Sequence, residues 1–99
     1  MNENTIKSVA PRTVRIDLPE PYAGRYVVAR LDFPARVLIE LQSGDFARTL
    51  GAFDSVVVEH NLPDTAGARA ASLLDADPFK MVEKAIELWG LELGKTTPA

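Results

Sequence analysis

The chain has 99 residues, 11 basic and 14 acidic, for a net charge of −3, and 46% of it is hydrophobic. That supports one compact core and is too apolar for a disordered chain; it excludes a multidomain enzyme, a collagen and a coiled-coil rod. There is no cysteine, so a disulfide framework, a thiolate metal site and a cysteine nucleophile are excluded as well.

Residues 1–12 show no hydrophobic period and carry Pro11, which predicts a flexible N-terminal arm. Met1–Ser8 is polar and mixed in charge, unlike a secretory signal, and the longest charge-free aliphatic run is Val56-Val57-Val58. A cytoplasmic protein without a membrane segment is expected. Arg12, Arg15, Arg25, Arg30 and Arg36 are interleaved with Asp17, Glu20 and Asp32. Phosphate binding needs a clustered basic surface, so this pattern predicts a solvated mixed-charge face and no nucleic-acid partner.

From Thr13 to Leu18, Val14, Ile16 and Leu18 alternate with polar neighbours, the period of a half-buried strand. Pro19-Glu20-Pro21-Tyr22-Ala23-Gly24 is a turn. Arg25–Leu31 alternates again, with Val27, Ala29 and Leu31 on one face and Tyr26, Val28 and Arg30 on the other. The two runs form a β-hairpin whose apolar face needs a helical layer beneath it.

Asp32 as N-cap and Pro34 in the first turn predict a helix carrying Val37, Leu38 and Leu41 on one face, with Ile39 beside it. Ser43-Gly44 ends it and Asp45 recaps the chain. Phe46, Leu50, Phe53 and Val57 then recur at helical spacing, so the second helix is expected to reach Asn61-Leu62-Pro63-Asp64. Gly51 weakens its interior by about 1 kcal/mol relative to alanine; close packing against another element is the expected reason, with a break in the helix there as the alternative. A small, polar stretch with Gly67 follows as the one long loop to Ser72. Asp77-Pro78 opens a last helix by the same cap-then-proline logic, with Phe79, Val82, Ile86, Trp89 and Leu93 as its buried stripe and Met81 and Ala85 at the margins. Gly90 and Gly94 loosen its end, and 95–99 is a polar tail. The sum is α+β: a single domain over residues 13–94, with the hairpin packed on three helices.

Chemistry is sparse. His60 is the sole histidine. Ser55 and Asp64 lie near it in sequence but off its helical face, so a helix-terminal histidine interacting with the last carbonyls of the helix is expected in place of a catalytic base. Asp75-Ala76-Asp77 lacks the ligand number of a calcium loop, and Asp77 is accounted for as a cap. The glycines are scattered singly and form no phosphate loop. No catalytic residue, cofactor or metal is expected. Candidates for partner binding are Tyr22, Arg25, Tyr26 and Val28, as a patch around the hairpin, and Trp89 as an aromatic anchor. The alternatives are that the patch lies beneath the N-terminal arm and that Trp89 belongs to the core. The hairpin edges also offer a template for strand addition.

The strand Val14–Glu20, the turn with Tyr22 and Gly24, the tract Leu38–Leu41 running into Gln42-Ser43-Gly44-Asp45, and Val56-Val57-Val58-Glu59-His60-Asn61 follow one another in an order that resembles the small tail assembly chaperones of long-tailed, siphovirus-type phages. The resemblance spans residues 13–93. It implies a non-enzymatic factor in the host cytoplasm that coats the tape measure protein and keeps it soluble until tail-tube subunits polymerise. It also implies a groove between the two later helices, lined by Leu50, Phe53, Val57, Val82, Ile86 and Trp89, the same residues that a closed core would use, and a longer product made by frameshifting near Gly94-Lys95. Tape measure or other tail proteins are the expected partners, with a homo-oligomer as a further option. The alternative is a structural virion protein, a tail-tube or head–tail connector subunit; a small hydrolase using His60 is the third reading.

Overall fold

The computed structural model describes residues 12–96, so all of the expected arm (1–12) but its last residue, and the last three residues of the tail, lie outside the described residues. Strand β1 (Thr13–Asp17) pairs antiparallel with β2 (Tyr26–Arg30), which carries β3 (Val57–His60) on its other side. Among the described residues three helices accompany this sheet: α1 (Ala35–Leu41), α2 (Phe46–Val56) and α3 (Lys80–Thr96), with a 3-10 turn at Leu73–Asp75. The architecture is α+β.

The hairpin follows the alternation in its sequence. Ile16 lies opposite Val27 and Val14 opposite Ala29, and the buried side chains Ile16, Leu18, Val27 and Ala29 all face the helices. One further backbone bond extends the ladder at each end, Leu18 N–H to the Arg25 carbonyl (2.9 Å) and Leu31 N–H to the Arg12 carbonyl (2.8 Å).

Helix α1 departs from expectation at its start. Pro34 stands at the cap position, outside the first turn, and its carbonyl accepts from the Val37 N–H. Asp32 does not cap; its carboxylate accepts from the Arg12 N–H and faces Arg30. Val37 is the buried residue of this short helix, while Leu38 and Ile39 stand in solvent. Its exit is as expected: Gly44 takes φ 80°, and Ser43 Oγ links the Glu40 carbonyl to the Asp45 N–H.

Asp45 caps α2, accepting from the Ala47 N–H at 2.9 Å. The helix stops at Val56, four residues before His60. Its core face is Ala52, Phe53 and Val56. From Val57 the chain is extended and pairs with the free edge of β2. Three consecutive β-branched valines lose side-chain freedom in a helix and fit a pleated surface. Val58 is the extra residue of a bulge between the Val28–Glu59 and Ala29–Val57 pairs.

The segment after β3 is more ordered and more buried than a polar loop. Asn61 donates its side-chain amide to the Gly24 carbonyl and accepts from the Tyr26 N–H (2.9 and 2.8 Å). Asp64 Oδ1 accepts from the N–H groups of Ala66 and Ala68 and closes a small turn bridged by Pro63 and Arg69. Leu62, Ala70 and Leu73 enter the core, and Asp54 on α2 accepts from the Leu73 N–H at 2.9 Å.

Helix α3 begins at Lys80, three residues after Asp77, so Asp77 does not cap it; the Pro78 and Phe79 carbonyls accept its first N–H groups. Met81, Val82, Ala85 and Trp89 are its buried face, which makes Met81 and Ala85 central, with Ile86, Leu88 and Leu93 half-buried against the core. Phe79 precedes the helix and is exposed. The helix runs through Gly90 and Gly94 to Thr96, past the expected start of the tail.

Trp89 is 1% exposed, with ring centroids 5.0 Å from Phe53 and 5.7 Å from Phe33, and its Nε1–H donates to the Arg30 carbonyl at 2.9 Å. Trp89→Phe removes that donor and part of the ring volume, and a loss of about 2 kcal/mol in urea unfolding is expected. Gly51, by contrast, is exposed, and an added Cβ there meets nothing within 4 Å. Close packing does not explain it. Gly51→Ala is therefore expected to stabilise the chain by about 0.5–1 kcal/mol in the same measurement.

Candidate functional site

The residues singled out from the sequence separate in the fold. Tyr26 and Val28 lie on the open face of the sheet, with Arg15 and Glu59 as neighbours. The Arg15 guanidinium sits 4.0 Å over the Tyr26 ring, and the Tyr26 hydroxyl donates to the Glu59 carboxylate. That bond, followed by desolvation and the Glu59 charge, holds the Tyr26 hydroxyl above its ordinary pKa, against the influence of Arg15 and Arg69. Arg25 is at the end of the hairpin, donating to the Asn61 carbonyl at 2.8 Å. Tyr22 folds the other way, half-buried against the core, and borders a cleft with Lys80 and Glu83 of α3. Trp89 is enclosed. The expected patch of Tyr22, Arg25, Tyr26 and Val28 is thus divided between two sides of the hairpin, and Trp89 is core.

Of the two arrangements of the later helices, open groove or closed core, the structure has the closed core. Phe53, Val82 and Trp89 are buried in it, and Leu50, Val57 and Ile86 pack on the same cluster.

His60 is 6% exposed, and its Nδ1 accepts from the Leu62 N–H at 3.0 Å. The expected contact with helix-end carbonyls is not made: the helix stops at Val56, His60 ends a strand, and its ring accepts from a backbone N–H. Ser55 Oγ donates to the Ala52 carbonyl. Burial, with the Arg69 charge second, pushes the His60 pKa below its ordinary 6.5, against Asp54 and a backbone hydrogen bond with Ala70. Among the described residues, no group of three or more histidine and acidic side chains is placed to hold a metal ion.

What stands out from the surface is a pair of aromatic rings. Phe46, first residue of α2, and Phe79, just before α3, meet edge-to-face with centroids 5.7 Å apart. They remain 45% and 47% exposed. Leu74, 58% exposed, and Phe79 line a shallow cleft of about 540 Å³ whose other walls include Asp64, Asp75 and Asp77. Aromatic and aliphatic side chains beside carboxylates suit a partner that is apolar along one stripe and basic beside it. From periodicity alone, Phe46 and Phe79 belong to buried stripes. The signal to the contrary is positional: each stands directly at a helix entrance, after Asp45 and after Asp77-Pro78, where a side chain faces the end of the helical layer.

The sequence matches no protein-family model, no curated protein and no solved structure. No helix among the described residues is long and apolar enough to cross a membrane.

The depressed His60 pKa has a definite sign. The folded chain binds a proton there less readily than the unfolded chain, so the stabilising contribution is complete above 6.5 and is lost as pH falls from there through the folded value. Urea midpoints are expected to fall between about pH 7.5 and about pH 5.5. In His60→Asn, whose Oδ1 can still accept from the Leu62 N–H, the slope over this window should flatten.

Proposed function

We propose that this chain is a tail assembly chaperone of a long-tailed phage: a non-enzymatic, cofactor-free module that binds the tape measure protein in the host cytoplasm during tail morphogenesis. The order of sequence segments suggests the family. The observation that carries the binding chemistry is the exposed Phe46–Phe79 pair with Leu74 and its aspartate border. A tape measure chain is long, helical and striped with apolar residues, and such a stripe aggregates unless another apolar surface covers it. On this reading the docking surface is the aromatic pair at the entrances of α2 and α3, outside the helical core.

Co-expression with a fragment of the tape measure protein from the same genome tests this reading. The wild-type chain is expected to carry the fragment into the soluble fraction. Phe46→Ser combined with Phe79→Ser should weaken binding by about 2 kcal/mol or more while leaving the far-ultraviolet spectrum unchanged. A fragment whose solubility is indifferent to the wild-type chain would refute the assignment. The alternative, a structural virion subunit, draws support from the β1 edge, which carries no further strand among the described residues. It requires the chain in purified virions, where a chaperone is absent.

A further inference from the structure

Among the described residues, the two edges of the sheet are protected unequally. On β3 the ladder is short and bulged at Val58, and Arg69 Nε donates to the His60 carbonyl at 3.1 Å. Bulges and covering side chains are ways in which edges are kept from pairing. On β1 the register is unbroken over five residues. Because Arg12 and Leu18 exchange bonds with β2 at its two ends, antiparallel alternation turns the N–H and C=O groups of Thr13, Arg15 and Asp17 away from β2. Beside this edge is a cleft of about 530 Å³, lined among others by Ile16 of β1 and Leu88 and Leu91 of α3. Leu91 is 59% exposed.

We propose that the β1 edge pairs antiparallel with the β1 edge of a second copy of this chain, about a twofold axis through the Ile16 pair, giving a six-stranded sheet. The edge is self-complementary in that register. Arg15 lies opposite the partner's Asp17, and Asp17 opposite the partner's Arg15. Both residues point their backbone groups outward, so each pairing forms two backbone hydrogen bonds. Within one chain Arg15 Nε already meets Asp17 Oδ1 at 3.0 Å, and pairing adds a second carboxylate to the same guanidinium. The neighbouring register sets Arg15 against the partner's Arg15 and is disfavoured by like charge. A twofold axis perpendicular to the sheet leaves both α3 helices on one face. Leu88 and Leu91 of each copy then meet over the two Ile16 side chains, and the cleft becomes a shared apolar layer. This inference is independent of the tape measure reading.

Sedimentation of the full chain at about 100 μM in low salt is expected to give a dimer mass. Arg15→Asp and Asp17→Arg should each weaken the dimer by about tenfold or more, and the double reversal R15D/D17R should restore it. An equimolar mixture of the two single variants should form heterodimers. Circular dichroism of each variant separates loss of pairing from loss of folding. A monomer mass up to about 1 mM overturns the proposal, as do dimers indifferent to both single reversals. Dimers that appear only after residues 1–10 are removed also overturn it, assigning the edge to the chain's own N-terminal segment.

Discussion

The structure depends on where one indole ring is held. Trp89 reaches from α3 between Phe33, in the connection leading to α1, and Phe53 of α2, and hydrogen-bonds to the last residue of β2. A chain of this length buries a modest fraction of its surface, so its largest apolar side chain has to join several elements at once. The indole N–H in the same interior needs a partner. The Arg30 carbonyl supplies it where β2 ends, and this fixes the distance of α3 from the sheet. Ile16, Leu18 and Val27 are then covered by Met81, Val82 and Ala85 in one core.

Much of this was legible in the residues themselves. Alternation over Val14, Ile16 and Leu18 and over Val27 and Ala29 specified the hairpin and its inner face, because a period of two leaves no other face to bury. The Asp45 cap and Gly44 exit were legible for the same local reason. The third strand was not. Phe46, Leu50, Phe53 and Val57 keep a helical spacing up to the residue where the helix has already ended. What ends it is the unsatisfied edge of β2, a partner that sequence spacing does not represent. The β-branched run Val56–Val58 was the one local hint.

The site was less legible than the fold. Tyr22, Arg25, Tyr26 and Val28 are neighbours in sequence, but the turn sends Tyr22 toward α3 and leaves Tyr26 on the open sheet face. Trp89 carries the bulk of a binding anchor and spends it inside. Phe46 and Phe79 are 33 positions apart in the chain and meet only because the entrances of α2 and α3 lie side by side. Periodicity assigns a residue to a face of a helix; it is silent on whether the neighbouring layer extends as far as that helix's first turn.

The exposed aromatic pair carries a cost in stability. In a small domain each large apolar residue withdrawn from the core reduces an already narrow margin of stability. Two phenylalanines left nearly half exposed, with a leucine beside them, therefore call for an explanation that a scattered single hydrophobe does not. Their mutual edge-to-face contact holds both rings in one orientation, so little side-chain freedom is left to lose when a partner arrives. The same chain treats its sheet edges differently: β3 is bulged and covered, whereas β1 is straight and flanked by Leu91. Among the described residues one edge thus carries cover and the other carries none, while the core is closed around Trp89.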